Sequence, residues 1–144
     1  MRKFILPLLI VALPALWSCQ SSDIYSELPE PLQHFMSKYW PNPAIEAFTP
    51  TYDGGYTVTV KNGVTATFNS EYSWTDINGD GLPLPQMLLS DQLPAKLYDY
   101  IEGAEMLNQV FVISRNFAEY NVTLLNSSLK YTVSDGMITG SQKP

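Results

Sequence analysis

Hydrophobic and polar positions along this 144-residue chain follow two periodicities, and both recur in the same order. Leu28, Leu32, Phe35, Met36 and Tyr39 stand at i, i+4, i+7, i+8 and i+11, one face of a 3.6-residue period, and predict a helix. Ser26 offers a cap, Pro29 suits the first turn, where its missing N–H costs nothing, and Pro41 ends the element. Leu93, Leu97, Tyr100, Ile101 and Ala104 trace a second such stripe. Ser90 or Asp91 would cap it, Pro94 falls in its first turn and Gly103 is the expected C-terminal stop.

After each helical stripe the period changes to two. A strand is expected over 45–52, closed by the turn Asp53-Gly54-Gly55. Tyr56, Val58 and Val60 then alternate with Thr57 and Thr59. Asn62-Gly63 is a strong hairpin signal, and Val64, Ala66 and Phe68 alternate with Thr65 and Thr67 on the return. A short strand over 72–77 completes the first set. The second set is expected over 109–114, 119–125, 128–133 and 136–140, with a looser turn at Asn126-Ser127, where Ser replaces Gly. The segments also align residue by residue. Leu28–Met36 matches Leu93–Ile101 at an offset of 65 positions, and Tyr56–Asn62 matches Tyr120–Asn126 at 64. The reading is one α+β domain over 28–140 made of two tandem helix-plus-strand units, about 28–81 and 93–140. Alternation gives the sheet one apolar and one polar face, so the helices are expected on one face of a shared curved antiparallel sheet.

Ahead of this domain lies a different pattern. Arg2 and Lys3 precede an apolar run over 4–16, interrupted by Pro7 and Pro14 and too short for a spanning helix of about 20 residues. Leu16-Trp17-Ser18-Cys19 looks like a bacterial lipobox, with residues 1–18 as signal peptide, cleavage before Cys19, and lipid on its sulfur and new amino group. Loss of Arg2 and Lys3 takes the formal charge from −6 to −8. Residues 19–27, polar and Ser-rich, read as a tether. Gln20, rather than Asp, after the cysteine points to the outer membrane, on either its periplasmic or its surface side.

The order of a Leu-Pro helix, a Tyr-x-Val-x-Val strand, the Asn62-Gly63 turn, a strand ending in Phe68-Asn69 and a segment containing Trp74 resembles the PepSY-like family of small exported Bacteroides-type lipoproteins, also described as similar to beta-lactamase-inhibitor protein. The resemblance spans about 28–138 in two copies. The second copy departs from it, with Ser127 in place of Gly and no following Trp. The resemblance implies a helix plus antiparallel strands per unit, joined into a larger curved sheet. It brings no catalytic motif with it.

Composition narrows the chemistry. Apolar residues make up 45% of the chain. One Cys and one His exclude a disulfide framework or a Cys/His zinc site within the chain, and the acidic balance argues against nucleic acid. His34 lies off the apolar stripe with no triad spacing around it, and reads as a solvated helix residue. Ser90-Asp91 reads as a cap rather than a nucleophile, and Asp99, Glu102 and Glu105 as a solvated acidic face. Asp76-Ile77-Asn78-Gly79-Asp80-Gly81 looks like the start of an EF-hand loop, with oxygens at positions 1, 3 and 5. But Met87 stands where a bidentate Glu is needed, and Pro83 and Pro85 are expected to forbid the exiting helix. The run is therefore read as a polar turn between the two units, with a weak calcium site at Asp76, Asn78 and Asp80 as the alternative. Asn121-Val122-Thr123 and Asn126-Ser127-Ser128 match the glycosylation sequon and are read as coincidence.

The polar sheet face is the most suggestive surface. Thr57, Thr59, Thr65, Thr67, Asn121, Thr123, Lys130 and Thr132 are expected on it, with Tyr72 and Trp74 at its margins. Together these predict a non-enzymatic, lipid-anchored envelope module, binding or inhibitor-like, without cofactor. It would be joined to the membrane through Cys19 and would take a protein or glycan partner on that face. The alternative is an assembly subunit whose sheet edges pair with copies of itself.

Overall fold

A computed structural model of the protein describes residues 24–142, so the expected leader and the expected lipid attachment at Cys19 lie outside the described residues. The elements run α1 Glu30–Tyr39, β1 Ile45–Pro50, β2 Tyr56–Val60, β3 Thr65–Phe68, β4 Trp74–Asn78, α2 Gln86–Gln92, α3 Ala95–Gly103, β5 Val112–Arg115, β6 Glu119–Thr123, β7 Ser127–Thr132 and β8 Ile138–Gln142. All eight strands form one antiparallel sheet in chain order, as expected for an α+β fold with a curved sheet. β4 and β5 pair directly although residues 79–111 separate them, with Ile77 opposite Ile113.

One row of side chains crosses the whole sheet. Phe48, Val58, Ala66, Ile77, Ile113, Val122, Leu129 and Gly140 stand opposite one another from strand to strand. The helices lie over this row. Leu32 and Met36 of α1, Leu88 and Leu89 of α2, and Leu97 and Ile101 of α3 are fully buried and form one core with it. The aligned pairs Leu28/Leu93, Leu32/Leu97, Met36/Ile101 and Val58/Val122 are all buried.

The helix ends differ from expectation. None of the three has a side-chain cap, so Ser26, Ser90 and Asp91 do not serve as caps. Each helix instead starts directly after a proline: Pro29, Pro85 and Pro94 hold φ near the helical value with ψ extended. The leucine before each (Leu28, Leu84, Leu93) is buried. Proline fixes its own φ and keeps the preceding residue extended, so Leu-Pro drops a leucine into the core and turns the chain sharply into a helix. Leu84-Pro85 is a third copy of this entry, and it starts α2 where the sequence reading took Pro83 and Pro85 to forbid the exiting helix of an EF-hand. α3 ends at Gly103, as expected, but Gly103 does not take the left-handed conformation that closes the helix. Glu105 takes the left-handed conformation (φ 58°), and Met106 N–H donates to Ile101 O while Glu105 N–H donates to Glu102 O. This is the Schellman pattern with glutamate at the position glycine usually fills.

Other boundaries also shift. Tyr25–Glu27 forms a 3-10 turn, and Ile24 and Tyr25 pack against the core, so the expected tether gives way to folded chain by Ile24. Their apolar side chains gain more from burial than from water. The Asn62-Gly63 hairpin has a three-residue loop. Val60 O accepts from Gly63 N–H, Val60 N–H donates to Val64 O, and Gly63 takes φ 101° at the bulge. The turn between β6 and β7 is tight rather than loose: Ser127 already belongs to β7, and Leu124 N–H donates to Ser127 O across Leu125-Asn126.

Two substitutions test this packing. Leu97→Ala should lower stability by about 2–5 kcal/mol through the cavity it leaves. Glu105→Gly should raise it by roughly 1 kcal/mol by relieving a left-handed glutamate. Urea unfolding with an unchanged slope would measure both.

Candidate functional site

The face away from the helices carries two polar rows. One runs Thr49, Thr57, Thr67, Asp76, Ser114, Asn121, Lys130, Thr139. The other runs Ala47, Thr59, Thr65, Asn78, Val112, Thr123, Ser128, Ser141. Thr132 stands beside them, opposite Glu119. Thr57 and Thr67 share a hydrogen bond at 3.2 Å, and Asn121 Nδ2 donates to Glu119 at 2.9 Å, while Lys130 Nζ lies 3.9 Å from the same carboxylate. Asp76, on central β4, has no ion-pair partner among the described residues. The EF-hand-like run does not fold as a cation loop. Asp76 and Asn78 are strand residues, Asn78 Oδ1 accepts from Asp80 N–H at 2.7 Å, and the Asp80 carboxylate lies against Gly63. No three such ligands gather among the described residues.

The two aromatics expected at this margin are elsewhere. Phe68 pairs with Trp74 while Thr67 pairs with Asp76, so Thr75 is an extra residue on β4. This bulge turns Trp74 to the helix side, where it is only 2% exposed. Strict alternation from Ile77 would have put it on the open face. Tyr72, in a left-handed turn (φ 65°), stacks on Tyr56, which stacks on Phe48, also on the helix side.

A chain of polar contacts joins α1, α2 and β4 on that side. Trp74 Nε1 donates to Gln92 Oε1, Gln92 Nε2 donates to Tyr39 Oη, and Tyr39 Oη–H donates to Asp91 Oδ2, each at 2.9 Å. Lys38 Nζ lies 3.1 Å from the same carboxylate. The hydrogen bond from Lys38, then that from Tyr39, holds the Asp91 carboxyl below its ordinary range. Burial, foremost, raises the Tyr39 phenol above its own. Asp91 is thus a clasp between α1 and α2.

Beyond Trp74 lies a cleft of about 680 Å³. Arg115, the last residue of β5, lies over the indole with Cζ 3.9 Å from the ring centre. Its Nε donates to Trp74 O and its Nη2 to Ser73 Oγ, both at 2.8 Å, and its Nη1 reaches Tyr120 Oη at 3.4 Å. Tyr120 and Tyr131 line the cleft from β6 and β7, Pro94 from the start of α3, and Phe117, 95% exposed, stands at the rim on the β5–β6 turn. Arg115 is the only charged residue in this lining. Sequence reasoning missed it, because a lone arginine carries no motif. The available signal was that it is the only arginine after Arg2.

The remaining candidates are dispersed. His34 and Ser90 are exposed, Ser90 bonding only Met87 O within its own helix. Asp99 and Glu102 are exposed on α3, and Glu105 forms its terminal turn. No helix among the described residues is long and apolar enough to cross a membrane.

No protein-family model and no curated protein matches the chain. Its fold, however, is shared with solved structures. A DUF2874-family protein of Bacteroides vulgatus, assigned to the periplasm, is 20% identical with a TM-score of 0.67, over 82% of this chain and 93% of that one. A Bacteroides thetaiotaomicron protein described as periplasmic and calcium-regulated is 19% identical with a TM-score of 0.68, over the same shares of the two chains. A third, from B. vulgatus and of unknown function, is 20% identical with a TM-score of 0.65, over 81% and 94%.

Tyr39→Phe, which removes one link and leaves Gln92 and Asp91 short of a partner, should cost about 1–2 kcal/mol in urea unfolding. Because Asp91 has a lowered folded value, its contribution is complete above the ordinary carboxylate range and fades as pH falls through that lowered value. The stability gap between the native chain and Asp91→Asn should therefore close below about pH 4.

Proposed function

We propose that this chain is an exported, lipid-anchored, non-catalytic binding module of the cell envelope, a PepSY-like protein that grips a protein partner on the open face of its sheet. The observation that carries the reading is the pair of rows eight strands wide, mostly short hydroxyl and amide side chains interrupted by Ala47, Val112 and Lys130, left uncovered by the helices, with Asp76 near the middle and without an ion-pair partner among the described residues. Such a face offers hydrogen-bond partners at low side-chain entropy cost and suits a partner loop rich in donors or positive charge. The lipobox-like Leu16–Cys19 supports anchoring at the outer membrane, and the fold shared with periplasmic proteins of Bacteroides supports the compartment.

A second reading, self-assembly, has one observation in its favour. Edge strand β8, Ile-Thr-Gly-Ser-Gln, carries neither charge nor proline to deter pairing, whereas the opposite edge, β1, has a bulge and Pro50.

The full chain, detergent-solubilised and immobilised, should capture one protein in stoichiometric amount from the envelope and secreted fractions of its native cells. Thr59→Arg with Thr67→Arg, and separately Asp76→Lys, should abolish the capture. Recovery of only the chain itself, with a mass that grows with concentration, would favour assembly, and no capture by folded protein would overturn the inhibitor-like reading. Cys19→Ser should move the protein from the membrane to the soluble envelope fraction.

A further inference from the structure

We infer that the cleft beside Arg115 is a second binding site, on the helix side of the sheet, for a carboxylate carried on an aromatic or apolar body. This inference is independent of the open face and of any partner there. Three features of the cleft lead to it.

The first is an uncompensated cation. A guanidinium has five N–H donors, and the protein engages three of them, on Trp74 O, Ser73 Oγ and Tyr120 Oη. All three acceptors are neutral. Neither ion pair seen, Lys38 with Asp91 and Lys130 with Glu119, involves Arg115, so no carboxylate among the described residues meets it. The cleft lining contains no Asp or Glu, although the chain carries 14 of them. Two N–H groups therefore remain for an anion, and the contact with Trp74 together with the three bonds fixes their direction in advance. A fixed fork of this kind matches a carboxylate better than a point charge would.

The second feature is the surplus of donors around that cation. Ser73 Oγ accepts from Arg115, which leaves the Ser73 hydroxyl hydrogen to donate. Asn69 Oδ1 is taken by Glu71 and Ser73 N–H, and Asn116 Oδ1 by Ala118 and Glu119 N–H, so both amides have their NH2 groups left for a ligand. Both asparagines line the cleft.

The third is the wall. Tyr120 and Tyr131 are half-buried beside the cation, and Phe117 and Val133 are exposed at the rim. The cleft is wide open to solvent, and its volume of about 680 Å³ leaves room for a small ligand laid against this wall. A single charged group in the lining fits a monoanion, and the aromatic walls fit a ring or apolar chain attached to it.

The test uses the full chain in detergent with N-acetyl-phenylalanine as probe, followed by calorimetric titration. N-acetyl-phenylalanine amide and phenyl phosphate serve as comparison probes. The acid should bind, and the amide, which lacks the charge, about tenfold or more weaker. Arg115→Gln should abolish binding of the acid, and Arg115→Lys, which keeps the charge but loses the fork, should leave it weakened. Phe117→Ala, at a fully exposed tip whose loss leaves the fold intact, should weaken binding severalfold and so keeps the inference testable if the Arg115 variants do not fold. Equal binding of acid and amide, unchanged binding by Arg115→Gln, unchanged binding by Phe117→Ala, or no binding of the acid at millimolar concentration would each overturn the inference. Tighter binding of phenyl phosphate than of the acid would overturn the carboxylate assignment.

Discussion

The pairing of β4 with β5 is the constraint on which the molecule depends. Every other strand pair is joined by a short turn, but these two are separated by the whole α2–α3 segment. Only when Ile77 stands opposite Ile113 does the apolar row run unbroken from Phe48 to Leu129 and give three helices a common floor. Side chains alternate with a period of two, so a slip of one residue at this junction would send Asp76 or Asn78 into the core and Ile77 into water. Burying an unpaired carboxylate costs more than several core contacts return. The register is therefore set by what it excludes as much as by what it buries.

The clasp from Lys38 through Asp91, Tyr39, Gln92 and Trp74 to Arg115 acts on the same junction from above. Its members come from α1, α2, β4 and β5, so it ties elements that precede the long connection to elements within and after it. It ends where the cleft begins. The residue that shapes the cleft floor, Trp74, is held on one edge by Gln92 and covered on its face by Arg115. Stability of the helix layer and the shape of the cleft are thus parts of one network.

The sequence made the layered plan legible. The two helical stripes, the Thr alternation on β2 and β3 and the polar rows all follow from periodicity, because burial on one side enforces it. Three features were not legible, each for a physical reason. Trp74 lies on the helix side because one extra residue, Thr75, reverses the alternation, and periodicity carries no mark of a bulge. α2 was hidden because Pro85 reads as a breaker, although proline directly before a helix is compatible with its start. Arg115 was invisible because its role comes from a backbone carbonyl, a serine and two aromatic side chains that only the folded sheet brings together.

Strand order equal to chain order has a consequence for how such a molecule is made. A chain that emerges N-terminus first can add each strand to the one just completed, so that β1 to β4 close on α1 before the rest emerges. Only β5 must wait, and the segment it waits for is α2 and α3, which form from local contacts. On the growing side the exposed edge is always the newest strand, whose partner is the next to arrive, while β1, with its bulge and Pro50, is the other edge throughout. Aggregation-prone edges are therefore brief states of synthesis rather than lasting ones, until β8 is reached and the last edge is left unpaired.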